Sequence, residues 1–221
     1  MSVDEAIQAR RSVRRFRSDP VDQGTIAEIL EIAARAPSGL NIQPWHVHVV
    51  AGNVRDRLSN AVVEAAISGR SEPDYEYVAE PLSEPYVSRR RKVAFDLYAL
   101  RGIDRTDYAA RRAAMIDNYR FFGAPVGLFF TIETGMQAGA WLDVGLLMQT
   151  IMLAAAARGL ATCPQQAWCE YGACVRRTLG IGDDRILVSG MALGWEDESA
   201  PENRLRSERQ PVAAMTSWLG F

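Results

Sequence analysis

An α+β fold built as one domain is predicted by two features of the sequence. Three apolar runs of strand length lie far apart along 221 residues, and helical periodicity fills the intervals between them. A third feature, the lack of any internal repeat or low-complexity tract, argues against an array of small units.

The elements follow in chain order. Residues 4–11 form a short helix, with Ser2 available as its cap. In "TIAEILEIAARA", 25–36, Ile26, Ile29, Leu30, Ile32 and Ala33 share a helical face, and Pro37 stops the helix. "WHVHVVAG", 45–52, reads as a strand with Trp45, Val47 and Val49 on one side. Residues 54–66 are again helical. Prolines and charges crowd 68–91, which reads as an exposed excursion, a hinge or a lid extending to about residue 118. Helical periodicity returns within it at 92–100 and 107–119. "APVGLFFTIE", 124–133, is an apolar strand. The most apolar stretch, 141–160, is broken by Asp143, Gln149, Thr150 and Arg158, so it reads as a buried core helix and not as a membrane span. "ATCPQQAW" follows, then a helix near 173–179 and a strand, "RILVSGMALGW", at 185–195.

Composition removes several function classes. The chain is 48% hydrophobic and 24% charged, as ordinary globular proteins are. A net charge of −2 gives no basic field for nucleic acid. No apolar run follows Met1, so no signal peptide is expected, and Cys163, Cys169 and Cys174 cannot all pair with one another; a reduced, cytoplasmic chain is the expectation. Lys92, the single lysine, lies outside any P-loop pattern, and neither G-x-G-x-x-G nor G-x-S-x-G occurs. His46 and His48 share a strand face without a third ligand, so no metal is expected.

Two patterns call for a ligand. "APSGLNIQPW", 36–45, is a loop of small hydrogen-bonding groups stiffened by Pro37 and Pro44. Arginines crowd both ends of the chain: Arg10, Arg11, Arg14, Arg15 and Arg17, then Arg204, Arg206 and Arg209. Guanidinium forks match phosphate oxygens. Converging termini would form a phosphate cage without a glycine loop, suited to flavin mononucleotide with its single phosphate, polyol chain and amide-edged ring.

The motifs "RRSVRRF" (10–16), "APSGLNIQPWHVHVV" (36–50), "GLATCPQQAW" (159–168) and "ALGWEDESAPENRLRSER" (192–209) resemble, in order and spacing, those of the nitroreductase family of FMN-dependent oxidoreductases, in particular its nitrobenzoate-reductase-like branch. The resemblance implies a nitroreductase-like fold, a central and mainly antiparallel sheet flanked by helices. It also implies a homodimer whose C-terminal segment reaches across to the partner. By the same resemblance Arg10, Arg11, Ser12 and Arg14 reach the FMN phosphate and ribityl chain, and Arg206 and Arg209 close the phosphate site. Pro37, Ser38 and Asn41 serve the flavin of the other subunit, while Pro164, Gln165 and Gln166 lie along the ring. Hydride would pass from NADH or NADPH through flavin N5 to a nitroaromatic or quinone-like acceptor in a ping-pong cycle, with no side chain as obligate acid or base. Tyr86 and Arg91 in the lid, and Phe122, are the expected substrate contacts. Two alternatives stand beside this one. The first is a reductive dehalogenase of the same fold, using Glu84, Tyr86 and Lys92 of the lid. The second is a non-catalytic flavin-storage protein.

Overall fold

The computed structural model describes residues 1–78 and 80–221. Seven α-helices and four strands follow one another among them: α1 (Val3–Ala9), α2 (Gln23–Ala33), β1 (His46–Ala51), α3 (Gly52–Ser68), α4 (Tyr86–Leu100), α5 (Tyr108–Ile116), β2 (Val126–Glu133), α6 (Ala138–Ala156), β3 (Ala161–Gln165), α7 (Gly172–Leu179) and β4 (Arg185–Gly194). Ser2 caps α1 in a reciprocal capping box with Glu5. The strands form one antiparallel sheet in the order β1-β2-β4-β3.

Strand β3 is the element that the sequence pattern leaves unassigned. It carries Pro164, which has no N–H to give a ladder. The sheet tolerates it because β3 is an edge, paired on one side with β4.

The two central strands are buried on both faces, and a separate apolar core packs on each face. Leu128, Phe130, Ile132 and Met191 meet α2 and α6. On the other face Phe129 and Leu187 meet α3, α7, Phe121 and Trp168. Two glycines make this second core possible. A Cβ on Gly127 would lie 2.3 Å from the Phe121 ring, and one on Gly190 would lie 2.4 Å from Trp168. Phe121 and Phe122 occupy left-handed backbone, φ 52° and 53°, at a cost of roughly 1–2 kcal/mol each. Burying both rings, 0% and 5% exposed, offsets that cost. Phe122 is therefore a core side chain here, and the expectation that it faces substrate is corrected.

Helix α6 is long and apolar enough to cross a bilayer by length and composition. Its Val144, Leu147 and Ile151 instead pack on the sheet, as expected for a core helix, while Leu142 and Leu146 stand exposed.

The segment after α3 is less free than its prolines and charges suggest. The Asp74 side chain is buried; its carboxylate accepts from Arg176 at 2.9 Å and from the Leu187 N–H at 2.7 Å. Glu72 and Asp74 donate their backbone N–H groups to Glu170 and Cys169. Residues 71–75 thus form a fixed seam on the sheet, and the expected excursion starts beyond them.

On strand β1, His48 lies 3.1 Å from the Thr131 hydroxyl and its ring centroid 4.6 Å from that of His46. Burial, aided by the neighbouring His46 and Arg185, pushes its pKa from 6.5 down to about 4. The folded state holds it neutral, so the unfolded chain binds more protons between those values. Stability contributed by neutral His48 is present above pH 6.5 and lost as pH falls toward about 4. Urea unfolding at neutral and mildly acidic pH should show wild type losing more stability on acidification than His48→Gln; identical pH dependence would contradict this.

Candidate active site

The two arginine-rich ends of the chain meet. Residues following α1 lie between β3 and the segment after β4: Ser12 bridges Thr162, and Phe16 bridges Glu196. Arg17 N–H donates to the Trp195 carbonyl, and Asp197 N–H to that of Arg15. At the centre sits Asn203, 4% exposed. Its Oδ1 accepts from the Arg14 N–H at 2.8 Å, and its Nδ2 donates to the carbonyls of Arg15 and Asp197 at 2.8 and 2.9 Å. Its own carbonyl accepts from Arg11 and Arg206. One buried amide therefore sets the register of both arginine arms.

Within this frame the arginines divide by partner. Arg11 spends its charge on Glu196, and Arg15 on buried Glu202 at 3.2 Å. Arg11 thus lines the cavity with its charge already paired. Arg10, Arg14, Arg206 and Arg209 have no carboxylate partner among the described residues; Arg14, Arg206 and Arg209 donate only to nearby carbonyls or a hydroxyl. All four line one cavity of about 440 Å³, with Ser12 and Gln149. Burial, and then the charge of Arg209, lowers the pKa of Arg10.

A second cavity, of about 550 Å³, opens farther along α6. Trp141, Leu142 and Met148 of α6 line it, with Tyr77, Pro164, Gln166 and Val188. From Gln149 back to Trp141, α6 spans about 12 Å, so a cationic cavity and an aromatic cavity follow one another along one helix. Gln165 does not offer its side chain to either. Its amide is 2% exposed, donating to the Asn118 carbonyl at 2.7 Å and facing Trp168 Nε1 at 3.4 Å. Cys163, beneath the arginines, has its thiol pushed up to about 11 by burial and is an inert core group at neutral pH.

The loop at 36–45 lies apart from both cavities, and none of Pro37, Ser38 and Asn41 lines either of them. Ser38 Oγ accepts from the Gln43 N–H at 3.0 Å, and the Gly39 N–H donates to both oxygens of Asp143 on α6, at 3.2 and 3.3 Å. Leu40, Asn41 and Gln43 all have left-handed backbone, and Leu40 is 99% exposed.

Helix α4, which carries Tyr86 and Arg91, lies far in sequence from the cofactor motifs. It nevertheless packs on the C-terminal arginine segment: Arg89 contacts Gln210 at 2.5 Å, and Val93 lines the cationic cavity. Lys92 is held by Asp96 at 2.7 Å and Glu208 at 3.3 Å. Tyr86 and Arg91 stand exposed on α4 and line none of these cavities. Sequence reasoning missed Asn203, although it lies inside the last motif, because nothing in a sequence marks an asparagine as buried. It also missed Tyr75 and Tyr77, whose spacing of two in an assumed surface stretch was a usable signal.

The Nitroreductase family model matches residues 7–195. The chain belongs to that family. It is 38% identical over 218 residues to a 4-nitrobenzoate reductase of Pseudomonas putida, covering 99% of this chain and 96% of that one. Among solved structures it resembles the FMN and NADPH-dependent nitroreductase NfnB of Sphingopyxis sp. strain HMH, with a TM-score of 0.97 and 45% identity over the whole of both chains. The FMN-dependent nitroreductase NfnB of Mycobacterium smegmatis, solved in complex with NADPH, superposes with a TM-score of 0.94 at 35% identity, covering 98% of this chain and 97% of that one.

Asn203→Ala should lower the unfolding free energy by roughly 2–3 kcal/mol, since it leaves buried donors and acceptors unpaired. Arg204→Ala, exposed beside it, should change stability by about 0.5 kcal/mol or less. Equal effects in urea unfolding would remove Asn203 from the centre of the frame.

Proposed function

We propose that this chain is an FMN-dependent nitroreductase, taking reducing equivalents from NADPH or NADH and delivering them to small nitroaromatic or quinone-like acceptors. The observation that carries this reading is the convergence of four carboxylate-free arginines beside Gln149 of α6, with an aromatic cavity along the same helix from Met148 back to Trp141. Half-buried Arg10 and Arg14 crowd against exposed Arg206 and Arg209, and an anion with several oxygens resolves the repulsion among them. The residues fit the cofactor: arginines for its phosphate, Ser12 and Gln149 for its polyol, and the Trp141–Met148–Pro164 surface for its ring. FMN, when bound, supplies hydride transfer between a nicotinamide and an electron-poor acceptor. The chain's own groups do the rest. Arg10, Arg14, Arg206 and Arg209 would neutralise the phosphate; the backbone of Gln165 at the end of β3 and of Gln166 after it would border the ring; the apolar walls would limit water.

The active unit in this reading is a homodimer, in a reducing, cytoplasmic setting that suits three free cysteines. Leu142 and Leu146 on α6, and Trp218, Leu219 and Phe221 at the C-terminus, are apolar and exposed in the single chain. Leu40 combines left-handed backbone with 99% exposure, a cost that its own chain does not offset. A partner covering the loop would both offset it and bring Ser38 and Asn41 to that partner's cofactor.

Purified protein should be yellow, bleach with NADPH under anaerobic conditions and recolour on adding a nitroaromatic; colour without bleaching would support flavin storage instead. Arg14→Ala and Arg209→Ala should each bind FMN about tenfold to a hundredfold more weakly. Undiminished flavin content in both variants would sink the phosphate assignment. For the shared site, a subunit carrying Arg14→Ala and Arg209→Ala is refolded with one carrying Ser38→Ala and Asn41→Leu. One intact site per mixed dimer should restore part of the flavin. No recovery in mixed dimers that demonstrably form would place Ser38 and Asn41 in their own subunit's site.

A further inference from the structure

Tyr75 stands on the fixed seam, one residue beyond Asp74. Its ring packs edge-on against Trp141, with centroids 4.6 Å apart. Its hydroxyl lies 2.6 Å from the Val188 carbonyl and 2.9 Å from Gln166 Nε2, with the Cys169 thiol, itself able to donate, as a third polar neighbour. A carbonyl can only accept, so the single Tyr75 hydroxyl proton is committed to Val188. The hydroxyl oxygen is then left as an acceptor, and the end of the Gln166 amide that faces it must be the NH₂. The orientation of that amide is thus fixed by proton inventory. Its Oε1 has no protein donor among the described residues and is not sealed from the cavity that Gln166 lines.

We propose that Tyr75 is a positioning residue: it locks the Gln166 side chain so that a hydrogen-bond acceptor faces the aromatic cavity, where it receives a ring N–H of the bound heterocycle. An untethered glutamine would turn its amide to suit either a donor or an acceptor. The tether removes that freedom and selects ligands carrying an N–H on the ring edge, as an isoalloxazine does. The seam makes the tether rigid. Asp74 holds the backbone beside Tyr75 to Leu187 and Arg176, while Val188, the next residue of β4, holds the hydroxyl. The ring contact with Trp141 fixes the remaining degree of freedom. Tyr75 acts only through Gln166, and this distinguishes it from a side chain that merely supports the fold.

This inference rests on the FMN reading given above, and a double-mutant cycle separates the two. Apo forms of wild type, Tyr75→Phe, Gln166→Leu and the double variant are titrated with FMN, following quenching of flavin fluorescence, and the apo proteins are melted in parallel. Tyr75→Phe keeps the ring on Trp141 and removes only the hydroxyl. Both single variants should bind FMN about fivefold to tenfold more weakly. The double variant should bind no more weakly than Gln166→Leu alone, while Tyr75→Phe, which leaves the Val188 carbonyl unpaired, should fold and melt only a few degrees lower. Multiplying effects, a Tyr75→Phe affinity equal to wild type, or a Tyr75→Phe protein that fails to fold would each overturn the positioning role. Wild-type apo protein that takes up no FMN would instead overturn the underlying cofactor reading, and this inference with it.

Discussion

Four guanidiniums without carboxylate partners share one cavity, and much of the molecule is arranged to hold them there. Two belong to the stretch after α1 and two to the stretch after β4, so the repulsion acts between the two ends of the chain. Backbone bridges from Ser12 to Thr162 and from Phe16 to Glu196, with Asn203 at their centre, keep the ends together against it. Glu196 and Glu202 neutralise Arg11 and Arg15, leaving an excess of positive charge concentrated at the cavity. An anion bound there relieves the repulsion and stabilises the folded chain by mass action. In this account the termini are ordered by the same site that they create.

The sheet supplies the rigid base. Gly127 and Gly190 let Phe121 and Trp168 press against one face of the central strands, and α6 lies against the other. Strand β3 is fixed at the edge beside β4, so the wall formed by Pro164 and Gln166 and the wall formed by α6 have no independent freedom. Backbone strain falls in two places with opposite settings. At Phe121 and Phe122 the strained residues are buried and their cost is offset within the chain. At Leu40, Asn41 and Gln43 they are exposed, which is the pattern of a surface shaped for contact with something else.

Much of this was legible in the sequence, because periodicity and punctuation report local structure. The cap at Ser2, the core helix with its buried Asp143 and the apolar strands at 126–133 and 185–194 all follow from pattern. The arginine clusters announced a cationic cavity, and four motifs in order announced the family. What the sequence hid was pairing. Arg11 and Arg14 look alike in "RRSVRRF", and only the distant Glu196 separates a neutralised arginine from a free one. Strand β3 was hidden by its proline, since propensity argues against a strand there while edge position permits one. The seam at 71–75 was hidden because its polar residues mimic a loop. The Asp74 side chain is buried by a partner a hundred residues away, which no local window contains.

The account's central claim is that phosphate recognition by the converging arginines dominates cofactor affinity. The most direct measurement compares FMN with riboflavin, which has the same ring and polyol but no phosphate, in titrations of the apo protein at several salt concentrations. The account predicts that riboflavin binds at least about a hundredfold more weakly, and that FMN affinity falls with salt while riboflavin affinity does not. Equal affinities, or the same salt dependence for both, would contradict it.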